Sequence, residues 1–123
     1  IISKKTGKII FPVFQYRYGL GFSKIKELIK SGLPGKPLVA SLETHWNRGQ
    51  ESYSKAWRGT WAGEQGGAIL SHSIHIHDLI SMILGPVSNV YAKLTTRVNN
   101  IEVEDCAAIS IEMENGSLVT SSI

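Results

Sequence analysis

Residues 66–86 constrain the fold of this chain more than any other stretch, because they predict one long helix that is buried along one side. Apolar residues recur at the helical period and fill a broad arc of its surface: Ile69, Leu70, Ile74, Ile76, Leu79, Ile80, Ile83 and Leu84. Two glycines open the segment, and Gly85-Pro86 closes it in the order expected of a helix stop. The sequence therefore predicts a well-bounded, largely buried helix.

A polar stripe runs along the remaining side of this helix. Its members are Ser71, His75, Asp78 and Met82. Their spacing lets Asp78 hold one ring nitrogen of His75 while the other nitrogen faces a pocket, an arrangement typical of general acid/base catalysis. The alternative is that Ser71, His75 and Asp78 form a satisfied polar network inside a packed core. Spacing alone leaves both interpretations open.

Two further histidines lie on the same segment. His77 falls within the apolar arc, which favours a packed structural role, whereas His72 lies at the edge of the polar stripe and is either a second pocket residue or a surface ring. Imidazoles on one helix face can share a zinc ion. His77, however, projects roughly 140° away from His72 around the helix axis. We therefore predict no metal site.

Composition and charge limit the classes of protein to which this chain can belong. The 123 residues amount to one domain, with 42% hydrophobic and 19% charged residues. The uninterrupted apolar runs are too short for a membrane span, and the single Cys106 fits a reducing, cytoplasmic compartment. Residues 1–50 hold nine lysines and arginines against two acids, and residues 51–123 hold four against eight, which hints at an acidic neighbour. The basic residues lack the interleaved aromatics of a nucleic-acid surface.

The rest of the chain alternates short helices and strands. The patterns predict a helix end at 4–8, a buried strand at 9–14, an amphipathic helix at 22–32, and strands at 38–45, 87–98 and 105–113. Asn115-Gly116 predicts a type I′ hairpin that pairs 107–113 antiparallel with 117–123. Because the chain starts in the last turn of a helix and stops inside a strand, we expect a fragment of a longer protein.

Two polar stretches carry further candidate ligand groups. Arg17 follows a predicted strand, where polar groups often reach a crevice, and it either serves an anionic ligand or pairs with a surface acid. Residues 47–65 show no clear period, and a connection of this length is usually functional or mobile. Trp57, Arg58 and Trp61 in this stretch favour a lid or pocket wall, although tryptophans that anchor a long loop to the core are equally common.

Several of these segments together resemble the Gfo/Idh/MocA-type oxidoreductases. The most specific is Gln65–Asp78 followed by Leu84-Gly85, which is similar to the Gly-Gly…His-x-x-Asp…Leu-Gly signature of that family. Gln15–Tyr18 resembles the segment after the last strand of its nucleotide domain. Ile29–Pro37 is similar to its link from helix to strand, and Trp57–Gly59 to its Trp-Arg loop.

The resemblance implies a two-domain enzyme. A Rossmann domain would bind NAD or NADP, and a second domain would bind a sugar or polyol and form a homodimer or higher homo-oligomer. Residues 1–14 would then be the end of the Rossmann domain, and residues 15–123 the C-terminal domain, truncated at its own C-terminus. For this domain we expect an α+β fold, a largely antiparallel open sheet with helices packed on one face.

The resemblance also assigns roles to single residues. His75 matches the active-site histidine of the family, and Asp78 matches the acid three residues on. Ser71 stands where many members have an aspartate, which weakens the acid/base assignment because a serine lacks the charge that tunes the histidine. We predict His75 and Ser71 as catalytic residues, and Arg17 as a cofactor contact. The predicted substrate-binding residues are His72, Asp78, Trp57 and Arg58. A non-catalytic ligand-binding or assembly module of the same fold is the alternative.

Overall fold

Helices cover one face of a four-stranded open sheet in the computed structural model, which describes residues 2–123. The helices are α1 (Ile2–Thr6), α2 (Leu20–Lys30), α3 (Trp61–Glu64) and α4 (Ile74–Leu84), with 3₁₀ turns at Gln15–Tyr18 and Gln50–Tyr53. The strands are β1 (Val39–Glu43), β2 (Val87–Thr95), β3 (Cys106–Met113) and β4 (Leu118–Ser122). The predicted α+β architecture is confirmed.

The sheet is largely antiparallel, as predicted. Its strand order is β1-β4-β3-β2; β2 and β4 both pair antiparallel with β3, and only β1 pairs parallel, with β4. Side chains along β3 alternate between buried and exposed positions, so that Ile109 and Ile111 point into the core while Ser110 lies on the open face. The alternation shows that one face of the sheet is covered and the other is not.

The hydrophobic core lies between this sheet and α4. Met113 and Val119 on the sheet are each 1% exposed, and Ile80 and Leu84 of α4 pack against them. Ile80 and Leu84 are thus the buried part of the predicted apolar arc, Ile69 and Ile83 pack against the core only partly buried, and Leu70 is 46% exposed, so the segment is less buried than its sequence predicts. The edge strand β2 is exposed along almost its whole length.

The predicted helix over 66–86 is interrupted. A π-helical turn occupies Ile69–Ser73 before α4 begins at Ile74, and Gly85, with φ at +91°, follows its end. A π turn holds more residues than an α turn, so positions before Ile74 are rotated relative to an uninterrupted α-helix. The polar stripe inferred from a constant period is consequently broken ahead of His75.

Two local predictions are wrong. Residues 9–14, predicted as a buried strand, are irregular and mostly exposed, because no strand of the described chain runs alongside to share their backbone hydrogen bonds. The β3–β4 hairpin forms as predicted, but its turn is not type I′. Asn115 keeps a negative φ and only Gly116 (+84°) is left-handed. The Asn115 side chain donates to the Leu84 carbonyl and accepts from the Ser117 N–H, each at 2.9 Å, and these bonds fix the turn.

The stretch Trp61–Leu84 spans 24 residues with a mean hydropathy of 1.2 in its most apolar window, enough by length and composition alone to cross a membrane. The core helix of a globular domain meets the same criterion. In this chain the stretch is broken by the left-handed Gln65 (φ +59°), and its last turns pack on the sheet. The absence of a membrane partner stays a prediction.

Candidate functional site

A buried carboxylate fixes the start of the helical segment that carries the candidate residues. Glu104, only 7% exposed, accepts hydrogen bonds from the backbone N–H of Gly67 at 2.9 Å and of Ile69 at 3.1 Å. A Cβ atom on Gly67 would lie 1.8 Å from the Glu104 carbonyl oxygen, so only glycine allows this approach. Glu104 is not among the residues predicted from the sequence, and the pair Gly66-Gly67 is the one sequence signal that a close approach occurs here.

His75 lies in the first turn of α4, beneath two aromatic rings. The Tyr16 ring centroid lies 4.8 Å from that of the imidazole, and the Phe14 ring meets it edge-on at 6.2 Å. The Nδ1 atom of His75 is buried and has no hydrogen-bond partner within residues 2–123. A buried polar atom without a partner is unfavourable, so a hydrogen-bond partner for this nitrogen has to come from outside the described side chains.

Asp78 does not hold His75, contrary to the prediction from spacing. Its carboxylate instead forms a bidentate pair with Arg17, which donates from Nε at 2.7 Å to Oδ2 and from Nη2 to Oδ1. The Arg17 guanidinium holds the pKa of Asp78 below its usual value. The planar fork of an arginine matches both carboxylate oxygens at once, which a single imidazole nitrogen cannot do. Arg17 therefore follows the alternative interpretation, pairing with an acid, and its predicted contact with the cofactor stays a prediction.

Ser71 is bonded to His72 and not to His75. Its Oγ donates to the Gly67 carbonyl at 2.8 Å and lies 2.8 Å from His72 Nδ1. A hydroxyl has one proton, and the carbonyl can only accept, so His72 Nδ1 must be the protonated nitrogen that donates to Ser71. The predicted Ser71–His75–Asp78 network is therefore not formed, since two of its members bind other partners.

His72 is consequently left with an unprotonated Nε2. Burial, together with the positive charges of Arg48 and Arg58, lowers the pKa of His72 and keeps its ring neutral. Nε2 is buried and lacks a partner within residues 2–123. His72 thus has an acceptor nitrogen without a partner. Of the two positions predicted for its ring, in a pocket or on the surface, the structure shows the pocket.

A cavity of about 340 Å³ adjoins this ring. It lies where β1 and β4 end and β3 begins, and Thr44, Trp46, Arg48 and Asp105 line it together with His72. We call it the His72 cavity. The Trp46 ring packs edge-on against the imidazole, 5.3 Å between centroids.

The remaining predicted residues have other contacts. His77 is half-buried and its Nε2 lies 3.0 Å from Ser121 Oγ, as expected of a packed structural histidine. Trp57 is 49% exposed, Arg58 stacks on it at 5.1 Å, and neither lines the His72 cavity. Within residues 2–123 the structure groups no three histidine, cysteine or acidic side chains that can hold a metal ion.

Comparison with known families and structures assigns this fold to an oxidoreductase domain. Residues 22–123 match the model of the GFO/IDH/MocA C-terminal domain. The chain therefore belongs to the Gfo/Idh/MocA family and is a C-terminal domain of that family. No curated protein matches the chain.

Solved structures agree with this assignment. The WlbA dehydrogenase of Chromobacterium violaceum is 32% identical with a TM-score of 0.87, and that of Bordetella pertussis is 30% identical with a TM-score of 0.89. Both are complexes with NADH and UDP-GlcNAcA. The chain is covered to 98% in each case, but spans only 35% and 37% of those enzymes. A levoglucosan dehydrogenase in complex with NADH, 23% identical over 89% of this chain and 32% of its own with a TM-score of 0.77, shares the fold.

Proposed function

We propose that this chain is the substrate-binding domain of an NAD(P)-dependent dehydrogenase that acts on a hydroxyl or carbonyl group of a sugar or polyol. Membership of the family and the NADH and sugar-nucleotide complexes of the two WlbA relatives support the reaction class. The cofactor, NAD or NADP, would be held mainly by a Rossmann domain. When bound, the nicotinamide accepts or returns the hydride.

The buried, unpartnered Nδ1 of His75 is the observation that supports this proposal. As hydride leaves the substrate carbon, the hydroxyl proton must go to a base, and a neutral imidazole nitrogen within hydrogen-bond distance can take it, leaving a carbonyl. Reduction runs the same transfer backwards. A positioned histidine of this kind contributes about 10²–10⁴-fold to the rate.

Arg17 and Asp78 would position this base. Their ion pair ties the 15–18 turn to α4, and that turn carries Tyr16 onto the face of the imidazole. The aromatic cover excludes water from one side of His75. Asp78 would therefore act on the substrate through this arrangement, and Trp57 and Arg58 would close over the substrate from the 47–65 segment.

A second candidate is a non-catalytic ligand-binding or assembly module. Asp78 is bound to Arg17 and Ser71 to His72, so neither side chain is hydrogen-bonded to His75. A catalytic histidine is usually oriented by such a partner. Turnover of sugars or polyols by the enzyme that contains this chain separates the two candidates.

His75→Asn in that enzyme tests the role of the histidine. The variant keeps most of the volume, so we expect kcat to fall by about 10²–10⁴-fold while the fold is retained. His77→Asn is the matched control, and we expect it to lower stability by about 1–3 kcal/mol while the folded fraction turns over normally. Near-normal turnover of His75→Asn would contradict the proposal.

The open face of the sheet would take a second copy of the chain. Tyr91 and Leu118 are 76% and 55% exposed on it, and a broad sheet face suits a two-fold homodimer. Sedimentation velocity on the enzyme checks this, and a monomer at micromolar concentration would contradict it. We also propose a cytoplasmic location, in which Cys106 stays reduced.

A further inference from the structure

We propose that the His72 cavity is a subsite for the anionic end of a polyhydroxylated ligand, with Arg48 binding a carboxylate or phosphate and His72 Nε2 accepting a hydrogen bond from a neighbouring hydroxyl. The inference rests on the proposed function only in identifying that ligand as the substrate. The subsite itself follows from the donors, acceptors and charges that line the cavity.

Arg48 supplies an uncompensated positive charge. It is half-buried, and within residues 2–123 it makes neither an ion pair nor a side-chain hydrogen bond; its guanidinium is stacked on the Trp46 ring at 5.4 Å. Burying part of a charged side chain is unfavourable unless an opposite charge or hydrogen bonds compensate for it. Its fork matches carboxylate and phosphate oxygens, so an anion is the ligand that restores the lost interactions.

The acid that lines the same cavity does not neutralise Arg48. Asp105 accepts from the backbone N–H groups of Arg97, Val98 and Asn99, at 2.7, 2.9 and 2.8 Å. Burial alone would raise the pKa of Asp105, but these three donors, together with a side-chain hydrogen bond from Cys106, outweigh it and hold the pKa below its usual value. The carboxylate is thus committed to fixing the 97–99 loop, and its charge is largely compensated there.

His72 sets a second requirement. Because its Nδ1 proton is committed to Ser71, its Nε2 can only accept, and a carboxylate cannot donate to it at neutral pH. The ligand must therefore carry a hydroxyl or N–H group beside its anionic group. The hydroxyl of Thr44, also buried without a partner within residues 2–123, offers one further donor or acceptor.

Size and shape agree with one sugar unit. A volume of about 340 Å³ lies at the small end of the range of roughly 300–1,000 Å³ for ligand pockets. The exposed Trp46 ring and Ile123 add apolar surface to the lining of the cavity. A sugar acid or sugar phosphate presents the required anion, hydroxyls and apolar ring face together.

The test uses the enzyme that contains this chain, without nicotinamide cofactor, so that binding is measured independently of turnover. The probes for calorimetric titration are D-glucuronate, glucose 1-phosphate and D-glucose. We expect at least one anionic probe to bind about tenfold or more tightly than glucose. Preference for glucuronate identifies a carboxylate subsite, and preference for glucose 1-phosphate a phosphate subsite. Equal binding of all three would overturn the proposal.

Arg48→Gln then localises the site. It should weaken the preferred anionic probe by about 10–100-fold and leave glucose unchanged. Lys30→Gln removes a positive charge from exposed helix α2 and is the matched control, expected to change neither. Unchanged binding of the anionic probe to Arg48→Gln would overturn the proposal.

The imidazole of His72 provides a spectroscopic readout. Nitrogen-15 spectra should show the Nδ1–H tautomer in the free protein, and the Nε2 resonance should move when the anionic probe binds. If the enzyme turns over a sugar or polyol but Arg48→Gln does not weaken binding of the anionic probe, the subsite is refuted and the dehydrogenase proposal remains. Arg48-dependent binding with no turnover would support the subsite and refute the dehydrogenase.

Discussion

Replacement of Glu104 tests how the start of the candidate helix is held in place. The carboxylate accepts from two backbone N–H groups, those of Gly67 and Ile69, at a site that is 7% exposed. Glu104→Gln keeps the size and shape of the side chain but exchanges one acceptor oxygen for an NH₂ group. One of the two buried N–H groups then faces a donor, and the remaining hydrogen bond loses its charged acceptor.

The magnitude follows from these two losses. A buried N–H without a partner costs about 1–3 kcal/mol, and a charged acceptor is worth about 1 kcal/mol more than a neutral one. We therefore expect the free energy of unfolding to fall by about 2–4 kcal/mol. With a typical slope of about 2 kcal/mol per M urea, the unfolding midpoint falls by about 1–2 M.

Urea unfolding of the chain, with hydrogen exchange at the Gly67 and Ile69 amides, measures the effect. Both amides should exchange faster in the variant, because their opening becomes easier. Glu114→Gln, on the exposed β3–β4 turn, is the control and should stay within about 0.5 kcal/mol of the parent. A Glu104→Gln variant as stable as this control, with unchanged exchange, would refute the role assigned to Glu104.

The remaining predictions concern packing and pH. Gly67→Ala places a Cβ atom 1.8 Å from the Glu104 carbonyl oxygen and should destabilise the fold by about 1–3 kcal/mol or more, whereas Gly21→Ala in exposed α2 should be neutral or stabilise by up to about 1 kcal/mol; urea unfolding compares them. Met113→Ala, at a site 1% exposed, should lower the free energy of unfolding by about 2–5 kcal/mol in the same assay. A loss no larger than that caused by a substitution at an exposed site would contradict the place of Met113 in the core. Burial lowers the pKa of His77 from its usual 6.5, so the unfolded chain binds the proton more readily than the folded one and stability should fall as the pH drops below about 6.5. His77→Gln should reduce this loss of stability between about pH 7.5 and 5.5. The same slope of stability against pH in the variant and the parent would contradict the prediction.

Local patterns in the sequence predict most of the secondary structure. The apolar period of 66–86, the alternation along 105–113 and the turn residues at 115–116 each act over a few positions, and the structure has a helix, a strand and a hairpin there. The packed state of His77 follows equally from its place on the apolar arc. Such features depend on which side of one element is buried, and the sequence carries that information directly.

At the start of the helix, the local sequence pattern does not predict the correct orientation of the side chains. A constant 3.6-residue period predicts that Ser71 aligns with His75, but the π turn at Ile69–Ser73 rotates it away. That turn is held by Glu104, 37 positions from Gly67 along the chain. The family resemblance, which rests on residue identities and not on helical phase, is confirmed by the family match despite the misplaced stripe.

The sequence by itself determines most of the element types, the covered face of the sheet, the family and the candidate residues of this protein. Only the tertiary structure decides which partner each polar group takes: Arg17 reaches Asp78 across 61 positions, and Thr44 and Arg48 join His72 around one cavity. The physical reason is that a polar side chain binds whichever donor or acceptor the fold brings within about 3 Å. The spacing of residues along one helix does not contain those distances.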